Sequence, residues 1–257
     1  MLMKHPVLTI ARFTFYEAVR NRLFMLTLAG LVCLLGLTEF VGELAITETN
    51  NIQAILIGAG MRLFAVATVA LFVITSMVRE FNDKGFELIA ALPMPRSSYY
   101  FGKFLGFFML SLVIAVATAL LLLIYSPVTA VLFWLLSLAC ELAIVISLSL
   151  LCLFTFSNVT VAFMVVICFY ILSRSINTIQ LISNSPIMEF YTFSQQFLRL
   201  ATDAIAFMLP GLHDFTKSEW LVYGVGWQSL WPVLIQTAVY LLLLSAAGLF
   251  DLYRKNL

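Results

Sequence analysis

Long apolar stretches broken by short polar segments set the pattern of this chain. They run from Leu23 to Phe40, Ala59 to Val78, Phe104 to Tyr125, Thr129 to Phe154, Val159 to Ile176 and Leu230 to Phe250. Each is close to the ~20 residues that a helix, rising about 1.5 Å per residue, needs to cross roughly 30 Å of hydrocarbon. The runs are continuous rather than alternating, so each satisfies its backbone hydrogen bonds as a helix and not as a barrel strand. The pattern predicts an all-α integral membrane protein, one transmembrane domain over residues 1–257 with six transmembrane helices.

The polar segments have order of their own. Ahead of the first span, Val7, Ala11, Phe15 and Ala18 form one helical stripe, with Thr9, Arg12, Tyr16, Glu17 and Arg20 opposite. This spacing predicts an amphipathic helix within residues 1–22, lying in the membrane interface. Its arginines, with Arg22, would draw anionic headgroups by roughly 1 kcal/mol per charge; the alternative is a plain orientation signal. The stretch is too long and amphipathic for the n-region of a signal peptide and lacks a small-residue cleavage site, so it is expected to remain on the mature chain.

Between the second and third spans lies the most polar segment, residues 79–103. Phe86 to Leu92 is expected to form a short helix ended by Pro93, and Pro95-Arg96-Ser97-Ser98 to supply a turn and cap for the helix that follows. Residues 177–228 leave the regular pattern. Phe193, Phe197, Leu200, Ala204 and Phe207 face away from Gln196, Arg199 and Asp203. Too polar to cross lipid alone, this stretch is expected to lie at the interface or to form a re-entrant pair covered by protein. Trp220, Tyr223, Trp227 and Trp231 suggest an aromatic belt before the last span.

Composition supports lipid as the solvent: 63% of residues are hydrophobic, only 11% are charged, and mean hydropathy is +1.06. The net charge of +1 offers no footprint for nucleic acid. The distribution of charge is more informative. With both termini inside, Lys4, Arg12, Arg20, Arg22, Arg79, Lys84, Arg96, Lys103, Arg254 and Lys255 fall on the cytoplasmic side, against Arg174, Arg199 and Lys217 outside. The positive-inside rule then predicts a multi-pass protein of the inner (cytoplasmic) membrane with cytoplasmic N and C termini.

Few residues suggest chemistry. Cys33, Cys140, Cys152 and Cys168 lie in apolar runs without metal-ligand spacing and read as packing residues, so no metal site is expected. His5 and His213 fall on opposite sides, leaving no pair to hold haem. No GxxxxGK[ST], HExxH or GxSxG sequence occurs, so the chain is expected neither to be an enzyme nor to hydrolyse ATP itself. Glu141, near the middle of the fourth span, is costly there by about 2.5 kcal/mol or more and should face protein or water. It is either a pathway or gating residue or a structural link to a hydroxyl or arginine on a neighbouring helix. Arg62, one turn inside the second span as drawn, is expected to snorkel to the headgroups. Arg199 and Asp203 are further pathway or gate candidates. Gly102 and Gly106 allow a close helix approach where the third span enters the membrane.

The order of these parts carries a resemblance. A basic interfacial helix, Ala11-Arg-Phe-Thr-Phe-Tyr-Glu-Ala-Val-Arg-Asn-Arg22, is followed by a span and by a second span ending in Arg79-Glu80. After it come Lys84-Gly-Phe-Glu-Leu-Ile-Ala-Ala-Leu-Pro-Met-Pro-Arg96 and Tyr100-Phe-Gly-Lys103. With Leu209-Pro-Gly-Leu-His-Asp-Phe215 before the last span and the basic end Leu252-Tyr-Arg-Lys-Asn-Leu257, this layout resembles the permease subunits of type 2 ABC exporters. The resemblance implies that Glu80, Asp83, Lys84, Gly85, Phe86 and Glu87 contact a separate ATPase through a coupling helix. It further implies pairing with a second permease copy or homologue. ATP and magnesium would be bound by the partner ATPase, with no cofactor in this chain. Two other classes stay open: a proton-coupled secondary transporter working through Glu141, and a non-transporting membrane anchor or assembly factor.

Overall fold

A computed structural model describes residues 6–44, 49–83, 95–156, 158–184, 193–215, 217, 219–224 and 226–254 of the chain. These form ten helices: α1 (Pro6–Arg20), α2 (Arg22–Leu44), α3 (Thr49–Asn82), α4 (Arg96–Leu122), α5 (Val128–Thr155), α6 (Val159–Asn184), α7 (Phe193–Met208), α8 (Leu212–Phe215), α9 (Trp220–Tyr223) and α10 (Trp227–Arg254). No strand occurs among the described residues. Six helices, α2 to α6 and α10, are long and apolar enough to span a membrane, so this is an all-helical protein of the multi-pass membrane type. The short helix expected over Phe86 to Leu92 lies outside the described residues.

The middle of the bundle is α5, whose residues Glu141 to Leu150 are buried without interruption. It packs against α3, α4, α6 and α10, and against the short α8 and α9. Its most apolar window is 67% buried, against 17% for α2 and α10, which therefore line the outside. A helix apolar on all sides and enclosed by others is what a core position in a membrane bundle requires.

The start of α1, the start of α4 and the end of α10 lie at one end, called the basal end. There Arg96 Nη1, at the start of α4, donates to Leu252 O at 3.1 Å and Tyr253 O at 3.3 Å, closing carbonyls at the end of α10. The first helix α1, opened by Pro6, lies along α4. Its buried stripe is Ala11, Thr14 and Ala18, with Ile10 packed beside it. The close approach permitted by Gly102 and Gly106 is made to this helix. A Cβ at Gly106 would sit 2.8 Å from Ala11 O, and one at Gly102 would sit 2.8 Å from Ile10 Cβ. Phe13, 71% exposed, points away from the bundle with Leu8 and Tyr16. At Asn21 the chain turns, and the Asn21 side-chain oxygen accepts the Leu23 N–H at 3.1 Å as the cap of α2.

Helix bounds differ from the apolar runs for physical reasons. The third helix starts at Thr49, not Ala59, because tertiary contact holds its polar first turns: Gln53 is buried and donates to Thr38 O of α2 at 3.4 Å. The fourth helix starts at Arg96 after an extended Pro95 (φ −68°, ψ 139°). Its serines lie within the first turn and supply no side-chain cap, with the Ser98 N–H bonded to Pro95 O at 2.9 Å.

At the opposite, distal end the expected aromatic belt divides. Trp227 and Trp231 are exposed, but Trp220 is buried, because α9 packs against α3 and α5. Helix α7 lies beside α6 and turns Phe197, Leu200 and Phe207 outward, the last 90% exposed.

Candidate functional site

On α5, Trp134, Ser137, Leu138 and Glu141 recur at three- and four-residue spacing and so share one face, which α3 covers. Arg62 projects from α3 onto that face. Its Nη1 donates to Glu141 Oε2 at 2.8 Å and to Phe215 O at 2.8 Å, and its Nη2 donates to Ser137 Oγ at 2.8 Å. The guanidinium carbon lies 4.8 Å from the centre of the Trp134 ring, a cation–π arrangement. Both charged side chains are fully enclosed, with 0% exposure.

This geometry overturns the expectation that Arg62 snorkels to the headgroups. A span begun at Ala59 would leave it one turn from the membrane surface; the helix begins at Thr49, and three elements enclose the side chain. An arginine buried this way must place its fork on acceptors, and the carboxylate, hydroxyl and carbonyl supply them. Of the two readings left open for Glu141, the link to an arginine on a neighbouring helix is the contact observed.

The pair is not saturated. Glu141 Oε1 and Arg62 Nε are buried without a hydrogen-bond partner among the described residues. Facing Glu141 from α6 is Tyr170, itself buried, whose hydroxyl accepts from Arg174 Nη1 at 3.2 Å. Further along α6, Asn177 Nδ2 meets His213 Nε2 at 2.8 Å, and Gln180 Nε2 donates to Asp203 on α7 at 3.1 Å. Tyr170, Ser173, Arg174, Asn177 and Gln180 thus form a polar stripe at helical spacing from the buried pair to the distal end. Sequence reasoning missed this stripe although its signal was present: an otherwise apolar helix carrying polar residues at i, i+3, i+4, i+7 and i+10. The Phe215 carbonyl had no such signal, since any residue carries one.

The gate candidates on α7 are not part of the buried cluster. Arg199 is exposed, and Asp203 pairs with Gln180 on the exposed side.

A second group of charges ties α1, α3 and α4 together at the basal end. Glu17 of α1 is ion-paired with Arg79 of α3. Glu80 of α3 is ion-paired with Lys103 of α4 and accepts a hydrogen bond from Tyr99 at 3.0 Å. The Lys103 ammonium also lies 5.9 Å from the centre of the Tyr99 ring. Glu80 is therefore an internal strut, its side chain 13% exposed, whereas Asp83 at the end of α3 is exposed. Lys84, Gly85, Phe86 and Glu87 lie outside the described residues. Arg12 is exposed on α1 with its guanidinium 5.5 Å from the Tyr16 ring centre, and Arg20 and Arg22 flank the joint between α1 and α2. Among the described residues no group of three or more His, Cys, Asp or Glu side chains could hold a metal ion. No protein-family model matches the chain, and no curated protein matches it at a significant level.

Proposed function

We propose that this chain is the transmembrane permease subunit of an ATP-binding cassette exporter, in which a separate ATPase subunit supplies the energy and a second permease completes the pathway. The observation that carries the reading is the continuity of α3. At its basal end this single helix holds Arg79 and Glu80, ion-paired to α1 and α4; 17 residues earlier, about 26 Å along the rod, it holds Arg62, bonded to α5 and to the Phe215 carbonyl. Work delivered to residues 79–103 therefore has a stiff route to the distal end. The concentration of arginine and lysine at the basal end supports a cytoplasmic location for it. Asp83 and residues 84–87 are the contact with the ATPase in this reading, and Glu80 transmits force to α4. Side chains fill the centre of the single bundle, which supports a pathway formed between two permeases.

The reading predicts that the purified chain hydrolyses no ATP and that a co-expressed soluble ATPase with a phosphate loop co-purifies with it. Replacing Glu87 with lysine should abolish that co-purification while the permease still inserts and folds. Nucleotide turnover by the chain alone would refute the proposal.

A proton-coupled transporter is the second reading, favoured by the buried Glu141, whose Oε1 has no hydrogen-bond partner among the described residues, and by the polar stripe leading from it. Transport that collapses with an uncoupler but survives loss of ATP would select it.

A further inference from the structure

At the joint between α1 and α2 the surface is hollowed into a cleft of about 430 Å³, lined by Glu17, Arg20, Asn21, Arg22 and Arg79. Three guanidinium groups meet one carboxylate there. Glu17 is committed to Arg79, whereas Arg20 and Arg22 are exposed and have no ion pair among the described residues. The cleft is therefore cationic, with two planar forks unused. Such forks match the geometry of phosphate oxygens.

We propose that this cleft binds the phosphate headgroup of an anionic glycerophospholipid from the basal leaflet. The direction of α2 distinguishes a lipid from a soluble phosphate. From Arg22, its exposed face continues through Met25, Leu26, Ala29, Val32, Gly36 and Phe40 at three- and four-residue spacing, away from the cleft and along a membrane-spanning helix. A ligand with its phosphate on Arg20 and Arg22 has an apolar track for acyl chains on the same side of the same helix. A free phosphate has no use for that track. On the opposite flank Glu17 secures α1 to α3, so an occupied cleft would brace the joint of α1, α2 and α3. The site is independent of whether an ATPase or a proton gradient drives the protein.

The test uses the full-length protein in detergent, delipidated and analysed by native mass spectrometry during titration with dioleoyl phosphatidylglycerol, dioleoyl phosphatidylcholine or glycerol 3-phosphate at constant ionic strength. The expected result is a saturable adduct of one phosphatidylglycerol that phosphatidylcholine does not reproduce and glycerol 3-phosphate does not displace. In an Arg20→Gln/Arg22→Gln variant its affinity should fall roughly 30-fold; in an Arg199→Gln variant, which removes an exposed charge on α7, far from the cleft, it should not. Both arginines are exposed and without an ion pair among the described residues, so circular dichroism of the double variant should match the parent. Equal binding of phosphatidylcholine, displacement by glycerol 3-phosphate, or unchanged affinity in the double variant would each overturn the assignment.

Discussion

The contact between Arg62 and Glu141 places two charged side chains where neither has any surface exposed to solvent. Their attraction offsets the desolvation only while both are present, and removing one partner of a buried pair costs about 3–5 kcal/mol. Arg62→Met and Glu141→Leu should each lower the thermal unfolding midpoint sharply, and the double variant should be more stable than either single one. Additive losses would show that the charges do not depend on each other. The pair also shows which part of the site was legible in sequence. Glu141 stood out because an acid in mid-span needs a partner; the partner did not, because the polar first turns of α3 hid ten residues of helix and moved Arg62 toward the surface. A gentler case is Tyr125, in the turn after α4, which donates a hydrogen bond to Glu39 on α2. Burial, then the hydrogen bond to and charge of Glu39, push its phenol from 10.0 up to about 12. A raised pKa favours the protonated donor in the fold. Its contribution is fully present below pH 10 and is lost as pH rises from 10 to about 12. The stability difference between the parent and Tyr125→Phe should be constant from pH 7 to 9 and shrink above pH 10.

Helices enter this fold according to how closely they can approach, and α1 depends on approach more than any other. Gly106 holds no Cβ where one would lie 2.8 Å from the Ala11 carbonyl and 2.6 Å from Thr14 Cβ. The first of these is backbone, so the neighbour yields only if the whole of α1 moves. Gly106→Leu should therefore lift α1 off α4 while the remaining bundle stays folded. Hydrogen–deuterium exchange should rise across residues 6–20 and stay unchanged in α5. Faster exchange throughout would make Gly106 part of the common core instead. At this scale the sequence was readable where one simple signal governs: the six long helices follow from the length of the apolar runs, and the Gly102–Gly106 contact from a four-residue spacing. Trp220 was misread for the opposite reason. Aromatic residues before a span suggest an interface, but the short α9 carries this one beneath the distal surface, and no pattern within four residues discloses what a neighbouring helix covers.

For the whole molecule the question is whether the distal segment is a fixed cap or a part that moves. The short helices α8 and α9 reach the bundle through the Phe215 carbonyl on Arg62 and through Leu221 against α3. A Cβ built at Gly58 would lie 4.0 Å from Leu221 Cγ, the position that a cysteine sulfur at 221 would nearly occupy. A Gly58→Cys/Leu221→Cys pair is thus close to disulfide reach in the arrangement described, and oxidation should join it with little change in fold once the four native cysteines are replaced. If force entering at the basal end travels along α3, trapping the partner ATPase with ATP and vanadate should draw α3 and α9 apart. The cross-link should then form several-fold more slowly in the trapped complex than in the nucleotide-free one. A reading driven by protons predicts no nucleotide effect and a rate that changes with an imposed pH gradient. A rate indifferent to both would make the Arg62 cluster a static keystone, since a segment that takes part in alternating access cannot keep one distance to α3 throughout the cycle.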